Sequence, residues 1–149
     1  MALAREAQAA GKKVVFTNGC FDLLHAGHVD LLNRARSLGD LLILGLNTDA
    51  GVRAQNKGPE RPIVPQDQRA AVVAGLQAVD AVVFFEEPTP AKLIEAIAPD
   101  VLVKGGDWPE EKIVGAPLVR SRGGQVFSLP LVPELSTTAL VDRLLKPRP

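Results

Sequence analysis

The sequence predicts a single doubly wound α/β domain on a parallel, Rossmann-like sheet. Three observations carry this. Short apolar runs rich in β-branched residues recur along the chain, amphipathic stretches of helical spacing separate them, and glycine-rich polar segments fall where the runs end. In such folds ligands bind outside the carboxyl ends of the strands. At 149 residues the chain has room for one core, so one domain spanning 1–149 is expected.

Met1 to Ala10 reads as a short amphipathic segment, and residues 1–11 are expected to form an N-terminal extension or short helix. Val14-Val15-Phe16 is a buried strand stopped by the turn residues Thr17-Asn18-Gly19. From Gly27 onward Val29, Leu31, Leu32 and Ala35 recur at helical spacing, and Gly39 closes that helix. Leu41 to Leu46 is a second buried run, followed by the capping side chains of Asn47-Thr48-Asp49. Gly58, Pro59, Pro62 and Pro65 make 55–65 a long loop. A helix from Gln66 to Gln77, a strand from Ala81 to Phe85 and a helix from Thr89-Pro90 to Ile97 continue the alternation. Val101 to Val103 is a strand, Gly115 to Ser121 is helical, Gln125 to Leu129 is a strand, and Ser136-Thr137-Thr138 opens a last helix, Ala139 to Leu145.

Composition narrows the partners. Lys plus Arg and Asp plus Glu are 17 each, so there is no basic bias for nucleic acid or a membrane surface, and any polyanion bound must be small and held locally. Cys20 is the single cysteine, which excludes an intrachain disulfide and fits a reducing compartment. With no secretory h-region and no run of membrane-spanning length, a soluble cytoplasmic protein acting on small molecules is expected.

The strongest motif is Thr17-Asn18-Gly19-Cys20-Phe21-Asp22-Leu23-Leu24-His25-Ala26-Gly27-His28, between the first strand and the first helix. Two imidazoles three positions apart at a helix start can both face a phosphate, and Gly27 removes a Cβ that would block close approach. A metal site or two unrelated surface histidines are the competing readings, but His25 and His28 are the only histidines, no Cys or His cluster supplies a third ligand, and both follow a glycine loop at a strand's end. The motif holds no evident covalent nucleophile. Cys20 has no base placed for it and reads as a small buried residue.

Three further segments fall at strand ends or helix starts. The hydroxyls and N–H groups of Ser136, Thr137 and Thr138 can bind terminal phosphate oxygens, although an ordinary N-cap looks the same. In Lys104-Gly105-Gly106-Asp107-Trp108, Lys104 can neutralise a phosphate, Gly105 and Gly106 let backbone approach a ligand, and Asp107 can meet a metal or a sugar hydroxyl. Trp108 can stack on a ligand or serve as a hydrophobic cover. In the middle loop Lys57 either folds over the β- and γ-phosphates or is a solvated loop charge, and Arg69 is either an exposed helix residue or a phosphate contact.

The HxGH segment resembles the signature of the cytidylyltransferase-like branch of the HxGH nucleotidyltransferases, and the resemblance runs from about Lys12 to Leu144. Within that branch, Asn47-Thr48-Asp49, Lys57-Gly58-Pro59-Glu60-Arg61-Pro62, Leu76 to Asp80, Phe85 to Pro90, Val101 to Trp108 and Ser136 to Thr138 are similar to the D-glycero-β-D-manno-heptose 1-phosphate adenylyltransferases. The resemblance implies transfer of AMP from ATP, with Mg²⁺, to heptose 1-phosphate, giving ADP-heptose for lipopolysaccharide or other surface glycans. It also implies a homodimer. With no kinase-sized segment before the motif, it implies a free-standing transferase whose kinase and phosphatase are separate chains.

On this reading ATP is held by the Thr17, Asn18, Gly19, Cys20 and Phe21 backbone and by the last helix's N-terminus. His25 and His28 stabilise the α-phosphoryl transition state, Lys57 and Lys104 offset phosphate charge, and Asp22 orients the loop or a histidine. Asn47, Asp49 and Arg69 complete the expected nucleotide surroundings. No metal ligands are assigned. The alternative is a cytidylyltransferase acting on glycerol 3-phosphate or a similar alcohol phosphate, but those relatives carry Arg-Thr-Glu-Gly before the Ser-Thr motif where this chain reads Leu131-Val132-Pro133-Glu134-Leu135. A non-catalytic nucleotide-binding module is the third reading.

Overall fold

In the computed structural model, which describes residues 1–56, 58–133 and 135–145, five parallel strands form one sheet in the order β3-β2-β1-β4-β5. The strands are β1 (Val14–Gly19), β2 (Leu41–Asn47), β3 (Ala81–Phe85), β4 (Val101–Gly105) and β5 (Gln125–Leu129). The helices are α1 (Ala2–Ala9), α2 (Ala26–Arg36), α3 (Asp49–Arg53), α4 (Gln66–Ala74), α5 (Ala91–Ile97), α6 (Ala116–Ser121) and α7 (Thr137–Leu145). Parallel neighbours need crossover connections, and helices packed on both faces bury the sheet twice over.

Strand alternation sorts the core into two halves. Val14, Phe16, Ile43, Leu102 and Val126 face α1, α5 and α6, whereas Val15, Leu42, Leu44, Val101 and Val103 face α2 and α4. The doubly wound fold expected from the sequence is therefore the one observed. The chain reverses direction of winding between β1 and β4, and a ligand crevice opens at such a switch point. Among the described residues no helix is long and apolar enough to cross a membrane.

The N-terminal segment takes the short-helix alternative and two other elements differ from expectation. The N-terminal segment belongs to the fold: α1 buries Ala4 and Ala7, and the Gln8 side-chain amide donates to the Ala98 carbonyl at 2.8 Å. Helix α4 ends at Ala74 because Gly75 takes the C-cap position, three residues before the expected Gln77. Between β4 and α6 lies a single 3₁₀ turn, Glu110–Lys112, too short for any periodicity to announce it.

Candidate active site

His25 is the N-cap of α2, in extended backbone conformation, and its Nδ1 accepts the Gly27 N–H at 3.1 Å. His28, at the third helical position, turns its own Nδ1 back to accept the His25 N–H at 3.3 Å. The result is a capping box made of two histidines, each satisfying one of the helix's orphan donors. The rings stack, centroids 3.8 Å apart, and Phe21 closes over His28 at 5.1 Å. Gly27 is required for this fold-back: a Cβ there would stand 3.0 Å from the His25 ring and 3.1 Å from the Leu135 Cβ.

Burial depresses the His25 pKa. Burial, the adjacent His25 and the Arg61 guanidinium push His28 down to about 4, against a smaller opposing pull from Asp22. Both rings are thus neutral at pH 7. Since each Nδ1 is an acceptor, each ring's proton sits on Nε2. Two neutral Nε2–H donors at a helix N-terminus suit a developing phosphoryl charge.

Asp22 is the hub beneath this pair. Its buried carboxylate accepts from Arg61 Nε at 2.6 Å and from the Ile63 and Val64 N–H groups at 2.9 Å each. Burial pulls its pKa up, but those donors overcome it and hold the carboxyl below its ordinary value. Its carbonyl accepts the Thr137 hydroxyl at 2.7 Å, which docks the start of α7 on the HxGH segment. Ser136 Oγ accepts the Ala139 N–H at 3.1 Å as a helix cap, and Thr138 is exposed beside it.

Several expected contacts need correction. Arg69 is neither exposed nor aimed at a ligand: only 2% exposed, it donates to the carbonyls of Val64, Cys20 and Asn47 and pairs with Asp49 at 2.7 Å. Asp49 is thereby engaged in a structural clip. Asp22, counted among the nucleotide's surroundings, spends its carboxylate on Arg61 and the middle loop, the loop-orienting role expected of it. Thr17 and Phe21 are buried and offer only backbone. Among the described residues Thr17 Oγ1 finds no hydrogen-bond partner. Cys20 is not buried; it lines a cleft. Lys57 lies outside the described residues.

That cleft, about 280 Å³, sits at the carboxyl ends of β1, β2 and β4. Asn18, Gly19 and Cys20 line it from β1, Asn47 from β2, and Lys104 and Trp108 from the β4 side. Gln55 and Lys112 also line it, and neither was singled out from sequence. The Gly105-Gly106 turn is fixed by Ser128, whose hydroxyl donates to the Gly106 carbonyl and accepts the Trp108 N–H at 3.0 Å. Gly106 needs its glycine, with φ at 111°. Asp107 is exposed and lies outside the cleft lining. Among the described residues no group of three or more His, Cys, Asp or Glu is placed to hold a metal.

A five-stranded parallel sheet with two imidazoles heading the helix that leaves its central strand is the arrangement that the nucleotidyltransferase resemblance predicts. The chain belongs to the cytidylyltransferase-like family, whose model matches residues 16–143. It is 57% identical over 136 residues to the bifunctional protein HldE of Magnetococcus marinus and 56% identical over 144 residues to that of Halorhodospira halophila. These matches cover 91% and 97% of this chain but only 28% and 30% of the relatives, so the chain spans less than a third of their length. Among solved structures, the lipopolysaccharide core biosynthesis protein of Thermoplasma volcanium superposes with a TM-score of 0.65 at 28% identity, covering 82% of this chain and 98% of that one.

Proposed function

We propose that this chain transfers AMP from ATP to heptose 1-phosphate, releasing pyrophosphate and forming ADP-heptose. The observation that carries the reading is the histidine capping box, which presents two Nε2–H donors at the head of α2 beside the docked N-terminus of α7. An oxygen of the sugar phosphate attacks the α-phosphorus in line, the bond to the bridging oxygen of the β-phosphate breaks, and pyrophosphate carries the electron pair away. Charge grows on the α-phosphoryl oxygens during this exchange, and preorganised donors bind it more strongly than they bind the ground state. The relatives above, one of them described as a lipopolysaccharide core biosynthesis protein, support the sugar assignment.

Mg²⁺ fits as part of the nucleotide substrate. Among the described residues no cluster of carboxylates or imidazoles is placed to hold the ion, so it would be held by phosphate oxygens and water, its usual mode at phosphoryl-transfer sites. When bound it offsets phosphate charge. The same reading carries the homodimer that the resemblance implies and the cytoplasmic setting expected from the sequence.

The test is pyrophosphate release with heptose 1-phosphate against either ATP or CTP, and with glycerol 3-phosphate against either. Turnover is expected with heptose 1-phosphate and ATP. Turnover confined to CTP would defeat the adenylyl reading, and no turnover with any pair would leave a binding module.

A further inference from the structure

The cleft at the end of β1 is near the lower end of the range for small-molecule pockets, about 300 Å³. It is sized for one partner of a two-substrate reaction. Its wall residues Phe85 and Ile113 belong to the core on the α1, α5 and α6 face, whereas α2, which carries both histidines, packs on the other. In-line displacement requires the attacking oxygen and the leaving pyrophosphate to lie on opposite sides of the α-phosphorus. With imidazoles and helix N-termini on one side of the β1 end, the opposite side is left for the acceptor.

Resting on the nucleotidyl-transfer reading above, we propose that this cleft binds the phosphate of the acceptor, and that Lys112 is a specificity-determining residue there, acting with Lys104. The charged side chains in the lining are these two lysines. Asn18, Asn47 and Gln55 add amides suited to hydroxyls, and Trp108 an aromatic surface suited to a sugar's C–H face. A polyhydroxylated phosphomonoester matches that set.

Lys112 is presented from a fixed backbone. Its N–H donates to the Pro109 carbonyl at 2.9 Å, the next residue, Ile113, is buried at 6% exposure, and Glu110 is pinned to Arg120 at 2.7 Å. The side chain itself is exposed and reaches the cleft. An ammonium is a compact point charge that accepts a phosphate at many angles. It offsets the repulsion between an acceptor dianion and the triphosphate. Because the oxygens it holds are not the reacting ones, it binds ground state and transition state alike, and its loss falls on KM.

The experiment is steady-state pyrophosphate release by the full chain, each substrate varied in turn, for wild type, Lys112→Ala and Lys112→Arg. The alanine variant is expected to raise KM for heptose 1-phosphate by roughly 10- to 100-fold, the effect of losing one charge-assisted contact. KM for ATP should stay within about twofold, kcat should fall by less than the acceptor KM rises, and Lys112→Arg should recover much of the loss. A rise in the ATP KM instead, or unchanged KM for both substrates, overturns the assignment. If glycerol 3-phosphate and CTP prove to be the working pair, the heptose reading fails, yet a rise confined to the glycerol 3-phosphate KM would still support Lys112. Calorimetric titration of heptose 1-phosphate without nucleotide makes the same comparison without turnover: equal affinity of wild type and Lys112→Ala overturns it.

Discussion

The two sides of the β1 carboxyl end are built on different principles. On the α2 side, the charged side chains of the HxGH segment and its supports are already engaged: Asp22 takes Arg61 and two backbone donors, Arg69 takes three carbonyls and Asp49, and Thr137 is tied to Asp22. On the β4 side the backbone is fixed through Ser128 and the 3₁₀ turn, but Trp108 and Lys112 project with exposed side chains. The first arrangement holds donors for a charge that exists only in the transition state and so must not reorganise. The second leaves room for a substrate that arrives and departs.

The comparison breaks most sharply at the histidines. His28→Ala removes one Nε2–H donor and is expected to lower kcat by about 100- to 1000-fold. The HxGH segment must survive for the result to count, so the circular dichroism should remain that of wild type and the stability from urea unfolding should fall only by the lost cap, about 1 kcal/mol. A variant with near-normal kcat would take the imidazoles out of the chemistry and dissolve the contrast between the two sides.

Arg61→Leu tests whether the engaged side is held by its buried ion pair. The substitution strands the Asp22 carboxylate with its two backbone donors but no counter-charge. Leaving one partner of a buried pair costs roughly 3–5 kcal/mol, and the surviving N–H bonds place this case at about 3 kcal/mol, measured by urea unfolding. A loss under about 1 kcal/mol would show that the middle loop is held by its backbone alone.

Arg61 also marks the limit of what the sequence discloses. The strands, the HxGH loop and the Ser136 helix start are local patterns, set within a dozen residues by period, glycine and capping chemistry, and they appear where expected. The pairing of Asp22 with Arg61 spans 39 positions and that of Arg69 with Cys20 spans 49, so no window of sequence contains both partners. An arginine among prolines reads as solvated, and one on a helix reads as surface. Folding brings Arg61 onto Asp22 beside His28, and Arg69 onto the Cys20 and Asn47 carbonyls. Lys112 was hidden differently, on a three-residue turn that has no repeat to detect. Only the folded course of the β4 to α6 connection brings it to the same cleft as Asn18 and Lys104.

The smallest of these effects is set by pH. In the unfolded chain a histidine titrates near 6.5, whereas His28 in the fold is held down to about 4 and His25 is also lowered. As pH falls through that window the unfolded chain takes up protons that the folded chain refuses, so stability is intact above 6.5 and declines toward 4. Asp22 acts further into acid: its lowered pKa gives stability that is full above its ordinary value of 3.8 and is lost as pH falls through the folded one. Because the chain holds two histidines, NMR resolves both Cε1–H signals without crowding. The His28 signal is expected to move with a midpoint near 4, and the decline of the urea midpoint between pH 6.5 and 4 should flatten in His28→Ala. An ordinary His28 midpoint near 6.5, with an undiminished decline in the variant, would mean that the ring is charged near neutrality. The α2 side would then act through a cation, as the lysines opposite do, and the two sides would differ only in burial.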